Sequence, residues 1–150
     1  MLRFVFALLA ALVLGGPAFA QEDPVVKESR YSVAETADRL QAVIEENGAA
    51  VVARVDHAAN AEGADMQLAP TILMIFGNPM LGTPIMRENR LAGLDLPMKV
   101  LIWEEDGATR IAYASPENLR KRWGIEGQDE LFSKMAGALD KMTDAAAQGE

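Results

Sequence analysis

The chain has 150 residues, with 14 Lys and Arg against 22 Asp and Glu, a formal charge of −8, one histidine and no cysteine. So acidic a surface repels nucleic-acid phosphates and anionic membranes, and nucleic acid is excluded as an expected partner. Without cysteine there are no disulfides, no thiol chemistry, no zinc fingers and no iron–sulfur clusters.

Residues 1–20, MLRFVFALLAALVLGGPAFA, have the layout of a secretory signal peptide. Arg3 supplies a positive start and Phe4 to Leu14 an apolar run. Gly15, Gly16 and Pro17 break that run, and Ala18-Phe19-Ala20 is a small-x-small cleavage site. The run is shorter than the roughly 20 apolar residues of a membrane span. The expectation is a periplasmic protein with no membrane attachment after cleavage. Residues 21–30 then hold a leader and the start of a first strand, 31–142 a single domain, and 143–150 a flexible tail.

Val25 to Tyr31 reads as a strand. Ser32-Val33-Ala34-Glu35 is a capping-box pattern. Val33, Ala37, Leu40 and Ile44 form one helical stripe, and Asn47-Gly48 stops it, which predicts a helix over 33–46. Ala49 to Asp56 alternates as a strand, with Val51, Ala53 and Val55 on one face. Continuing that period places His57 on the apolar face at the strand's end. Residues 58–68 are small and polar, a loop or a short helical excursion.

Thr71 to Phe76 is apolar on both faces, as a covered central strand is. The stretch IFGNPMLGTPIM follows, with Asn78-Pro79 and Thr83-Pro84 as two helix starts five residues apart. A proline in a helix interior lacks the N–H for an i→i−4 bond and clashes with the preceding turn. The prediction is therefore one turn at Pro79–Leu81 and a separate helix from Thr83 towards Arg90. Leu96 to Glu104 and Thr109 to Ser115 read as a hairpin around Asp106-Gly107. Ser115-Pro116 opens a short helix that Gly124 ends. Leu131, Phe132, Met135, Ala138, Leu139 and Met142 mark the last one. The order β-α-β-β-(α)-β-β-α-α predicts an α+β two-layer sandwich, a mainly antiparallel sheet of about five strands covered by helices.

The string FGNP-x-x-GTP-x-M, the segments LDLPMKVLIWEE and YASPENL, and Asp56-His57-Ala58-Ala59 ahead of GADMQLAPTILMIFGNP together resemble the bacterial and archaeal family called domain of unknown function 302. The resemblance covers roughly residues 31–138. It implies a small two-layer domain that tends to form homodimers, and it carries no agreed activity or catalytic residues.

Helix starts expose N–H groups that suit an anion, so Asn78, Gly82 and Thr83 are candidates for holding a carboxylate or phosphate; the bland reading is a rigid connection. His57 is an acid/base or ligand-binding candidate, or a hydrogen-bonded histidine at the core's edge. Lys99 shares a face with Leu101 and Trp103. It can bind an anion or act as a nucleophile, or lay its stem along the apolar surface. Tyr113 offers a hydroxyl to a pocket or packs in the core. Arg87 falls in the first turn of the helix expected from Thr83, where a cation is disfavoured and an anionic partner would explain it. Met66, Met74, Met80, Met86, Met98, Met135 and Met142 raise copper(I), which favours thioethers, against plain core filling. No metal set, cofactor motif or recognisable nucleophile–base pair appears. The favoured reading is a non-catalytic binding module for a small anionic ligand or a protein partner. The alternatives are an enzyme using His57 as acid/base and a copper(I)-handling protein.

Overall fold

The structure, a computed structural model, describes residues 24–149. The signal-peptide pattern lies outside the described residues. The elements are β1 (Val25–Ser29), α1 (Val33–Glu46), β2 (Ala50–Asp56), α2 (His57–Glu62), β3 (Thr71–Gly77), α3 (Pro79–Glu88), a short 3-10 helix (Arg90–Leu94), β4 (Met98–Glu105), β5 (Ala108–Tyr113), α4 (Pro116–Trp123) and α5 (Asp129–Gln148). The five strands form one antiparallel sheet in the order β1-β5-β4-β3-β2. This is the α+β sandwich predicted.

Local chemistry builds several elements as read. Ser32 Oγ accepts the Glu35 N–H at 3.3 Å and starts α1. The β4–β5 turn has positive φ at both Asp106 and Gly107, 52° and 77°, the arrangement that suits the strand twist of a tight hairpin. In α1 the stripe Val33, Ala37, Leu40 and Ile44 is buried against Ile72, Met74, Phe76, Val100, Ile102, Ile111 and Tyr113 of the sheet, with Leu139, Met142, Ala146 and Ala147 of α5 beside it. These residues make the main core, on one face of the sheet. The other face carries Leu73, Ile75, Leu101 and Trp103, which stay partly exposed.

A second cluster joins Ile85 of α3, Ala92 of the 3-10 helix, Leu119 of α4, Ile125, and Phe132 and Met135 of α5. It caps one end of the sandwich. Asn89 and Asp95 tie its loops. Asn89 Nδ2 donates to the Trp123 carbonyl at 2.9 Å, and Trp123 Nε1 donates to Asp95 Oδ2 at 2.6 Å.

Three local expectations are corrected. Strand β2 carries a bulge between Val51 and Ala53. A bulge adds one residue on one strand and switches the faces beyond it. Val51 pairs with Phe76 on the helix side, whereas Ala53 and Val55 pair with Ile75 and Leu73 on the opposite side. The three do not share one face.

Next, α3 runs unbroken through Pro84. Proline inside a helix costs about 3 kcal/mol. Burying Ile85 completely, with Leu81 packed against the same cluster, is worth a comparable amount at roughly 1.5–3 kcal/mol per large side chain. Tertiary burial thus offsets the lost bond.

Finally, α5 continues to Gln148, through the stretch expected as a tail. Thr143, Ala146 and Ala147 are fully buried. The Ala147 carbonyl accepts the Arg30 N–H at 3.0 Å, and the Ala146 carbonyl accepts Arg39 Nε at 3.2 Å.

Candidate functional site: an apolar cavity at the end of the sheet

Where the two hydrophobic clusters meet, they leave a cavity of about 400 Å³. Its floor is the end of β3 and the start of β4, with Phe76, Gly77, Pro97 and Met98. One wall is the α5 stripe Met135, Ala138, Leu139 and Met142. The other is α3 with Pro79, Leu81, Gly82, Thr83 and Met86, and Val52 and Ala50 of β2 close one side. The bulge puts Val52 here, 64% exposed, at the mouth. The lining is almost wholly apolar and contains four thioethers, those of Met86, Met98, Met135 and Met142.

Of the two polar side chains in the lining, Asn78 and the exposed Thr83, the first is engaged within the chain. Asn78 Oδ1 accepts the Met80 N–H at 2.9 Å, and its Nδ2 donates to the Gly48 carbonyl at 3.2 Å. The Asn78 carbonyl accepts the N–H groups of Leu81 and Gly82 at 2.9 and 3.1 Å. Pro79 has no N–H to give. The first turn of α3 is self-capped, so the anion cradle expected from Asn78, Gly82 and Thr83 has no open donor in that turn.

The candidate residues do not converge. Asn78, Gly82 and Thr83 line the cavity, and the other four do not. His57 is the first residue of α2, beyond the Asp56 end of β2, whereas Asn78 follows the Gly77 that pairs with Ala50 at the other end. The seven residues of β2 make six steps of roughly 3.3 Å each, which separate these ends by about 20 Å. Lys99 pairs with Ile75 and stands on the sheet face away from the helices, its Nζ donating to the carbonyls of Asp95 and Pro97 at 3.1 and 3.3 Å. Arg87 sits in the last turn of the continuous α3, where a cation complements the helix dipole, so it needs no anionic partner.

Tyr113 is buried on the helix side and faces a second, more open hollow of about 470 Å³ with Val25, Ser115, Pro116, Ser133, Gly137 and Asp140. Burial pushes its phenol pKa up, with the Lys27 ammonium opposing. Lys27 donates to Asp140 Oδ1 and Asp144 Oδ1, both at 2.7 Å. Those bonds hold the Asp140 carboxyl below its ordinary value. Burial disfavours the Lys27 ammonium, but the two aspartates together raise its pKa.

The residues that sequence reasoning passed over are Leu81, Leu96, Ala138 and the methionines as a lining set. The stripe over 131–142 was visible, but nothing local to it signals that Met86 and Met98 face the same space. Among the described residues, no group of three or more His, Asp or Glu is placed to hold a metal ion. No helix among them is long and apolar enough to cross a membrane.

Comparison with known proteins agrees with this architecture. A crystal structure of an uncharacterized conserved DUF302 protein from Bacillus stearothermophilus superposes with a TM-score of 0.75 at 20% identity, over 83% of this chain and 98% of that one. At that identity the likeness concerns the fold. Two proteins named fluoride-specific ion channel FluC 1, from Brucella suis biovar 1 and Brucella abortus biovar 1, are 49% identical over 87 residues. The matched stretch is 58% of this chain and 34% and 32% of theirs, so the chain spans about a third of those relatives. The family profile described as domain of unknown function DUF302 matches residues 25–142, nearly the whole described fold, and the chain belongs to that family.

Proposed function

We propose that this protein is an exported, non-catalytic binding module whose ligand is a small apolar molecule held in the methionine-lined cavity. The observation that carries the reading is the cavity itself. Its volume of about 400 Å³ falls within the roughly 300–1,000 Å³ of small-molecule sites. Its lining carries no charged side chain, and of its two polar ones, Asn78 and Thr83, Asn78 is already engaged within the chain. A buried polar group without a partner costs about 1–3 kcal/mol, so the geometry favours a neutral ligand over the anion expected from the sequence. Export is supported by the signal-peptide pattern of residues 1–20. The acid/base reading of His57 loses support from its place at the far end of the sheet. The copper(I) reading keeps four thioethers, but they are spread over a hollow far larger than one ion.

The test is titration of the purified protein with the neutral fluorophore N-phenyl-1-naphthylamine, followed by thermal shift with that probe and with copper(I). Saturable, stoichiometric fluorescence enhancement and a raised melting temperature support the reading. No saturable binding would overturn it, and stabilisation by copper(I) alone would replace it with metal handling. The homodimer implied by the family resemblance has a candidate surface in the open sheet face bearing Leu73, Ile75, Leu101 and Trp103. Sedimentation of Leu101→Glu against the parent checks it, and an unchanged mass would remove that surface.

A further inference from the structure

We propose that Met86 and Met98 form an oxidation site that closes the cavity to its apolar ligand, an inference that rests on the ligand reading above. The four lining thioethers are not equivalent. Met135 and Met142 are 5% and 6% exposed, inside the packed clusters, whereas Met86 and Met98 are only partly buried. A water-borne oxidant entering at the mouth therefore reaches Met86 and Met98 first. Met86 is threaded between two glycines. Its Sδ lies 3.4 Å from the position a Cβ on Gly93 would take, and its Cε lies 3.9 Å from that on Gly82. Glycine brings no side-chain donor, so neither neighbour can offer a side-chain hydrogen bond to an oxygen added at that sulfur.

The chemistry needs a hydroperoxide, of which hydrogen peroxide is the simplest. A sulfur lone pair attacks one peroxide oxygen, the O–O bond breaks and an S–O bond forms. The departing hydroxide takes up the proton of the oxygen now bound to sulfur and leaves as water. Sulfur is oxidised by two electrons and the peroxide reduced by two. The product is methionine sulfoxide, a polar group in place of a flexible apolar one. At Met86 or Met98 the new acceptor joins a lining with Leu81, Leu96 and Leu139, whose polar side chains are Asn78 and, at the exposed rim, Thr83. The nearby Asn78 amide is already engaged with Gly48 and Met80. The oxidised lining either stays wet or folds inward, and both exclude an apolar ligand. Leucine would fill the same volume without this liability, as Leu81 and Leu96 do beside them.

Met66 and Met80, 66% and 80% exposed and absent from the lining, supply an internal control, because they oxidise without touching the cavity. The experiment treats the purified protein with hydrogen peroxide, maps the added oxygens by peptide mass, and titrates N-phenyl-1-naphthylamine before and after. Oxygen at Met86 and Met98 should weaken probe binding by about tenfold or more, the effect of an unpaired polar group in an apolar site. Measured against its own untreated affinity, whatever that is, Met86→Leu/Met98→Leu should lose no probe binding on treatment. Met66→Leu/Met80→Leu should lose binding on treatment like the parent. Unchanged affinity in parent protein oxidised at both Met86 and Met98 overturns the proposal, as does equal loss in Met86→Leu/Met98→Leu. Absence of probe binding before any oxidant removes the ligand reading and this one with it; binding that survives oxidation removes this one alone.

Discussion

Ala138→Leu should make the protein more stable and its cavity less able to take a ligand. Ala138 lies on the α5 wall, one turn from Met135 and from Met142, and lines the cavity. Leucine adds three carbons there. At about 0.8 kcal/mol per buried methylene the gain is about 2.4 kcal/mol if all three leave water, and about half that if the open mouth keeps them wet. Fixing the leucine rotamer costs about 0.5–1 kcal/mol, and the difference in helix propensity is smaller still. The net is a stabilisation of up to roughly 1.7 kcal/mol, or up to about 7 °C in melting temperature for a domain of this size, falling towards zero where the mouth keeps the carbons wet. Thermal unfolding by circular dichroism measures it, and the N-phenyl-1-naphthylamine titration should weaken in parallel because the added side chain occupies part of the site. The sign decides the matter. If the α5 stripe were packed tightly against α3 with no void, the same carbons would overpack the interior and destabilise it by about 1–3 kcal/mol. A lower melting temperature with unchanged probe affinity would refute the cavity and the binding reading built on it.

Lys27→Met removes a half-buried ammonium from Asp140 and Asp144 while keeping most of its stem. The loss should be about 1 kcal/mol by urea denaturation at neutral pH, at the upper end for pairs whose carboxylates are exposed. Asp140 is held below its ordinary 3.8, so its contribution is present above that pH and fades as the pH falls through the folded value; Lys27 is raised above 10.5, so its contribution is present below that and fades in stronger base. The gap between parent and variant should therefore narrow at about pH 2.5, and a gap that stays constant in acid would show that Lys27 acts through packing alone. Trp123→Phe deletes the 2.6 Å bond to Asp95 and should cost about 1–2 kcal/mol, read as a lower urea midpoint at unchanged slope; Arg122, 3.3 Å from Asp95, limits the loss. His57→Ala and Lys99→Ala should leave probe affinity unchanged within about twofold, since both side chains lie off the cavity. A larger loss in either would return that residue to the site.

Much of the fold was legible because its signals are local. The α1 cap at Ser32, the Asp106-Gly107 turn and the α5 stripe each depend on residues a few positions apart, and each appears where the pattern puts it. What failed was decided at a distance. Pro84 has the same helix-breaking chemistry in any sequence, but Ile85 is buried against Leu119 and Phe132, which are far along the chain, and that burial keeps α3 whole. The Ala-rich end of α5 looks like a tail until Arg30 and Arg39 bond to its last carbonyls. The bulge at Val52 depends on the register between β2 and β3, which the alternation of β2 alone does not contain.

The candidate site was less legible, for a related reason: Asn78, Gly82 and Thr83 line the cavity, and His57, Lys99, Arg87 and Tyr113 lie off it. Polar chemistry is what stands out in the sequence, namely a histidine, a lysine, a tyrosine and open helix starts. In the fold the lysine and the helix start satisfy themselves locally, and the histidine stands at the other end of the sheet. Asn78 caps its own helix, Lys99 binds the carbonyls beside it, and Arg87 completes a helix end. A polar group that is satisfied has little left for a ligand. The space that remains lies where two hydrophobic clusters meet without filling the corner between them, and its marker is four methionines from three elements facing one void. Thioethers are flexible enough to line a hollow of variable shape, so a methionine counted as core filler and one that shapes a pocket look identical in sequence. The difference is whether the neighbours of Met86, Met98, Met135 and Met142 close around them. That is a property of how α3 sits on α5 and β4, and substitution at Ala138, which changes only that corner, reads it directly.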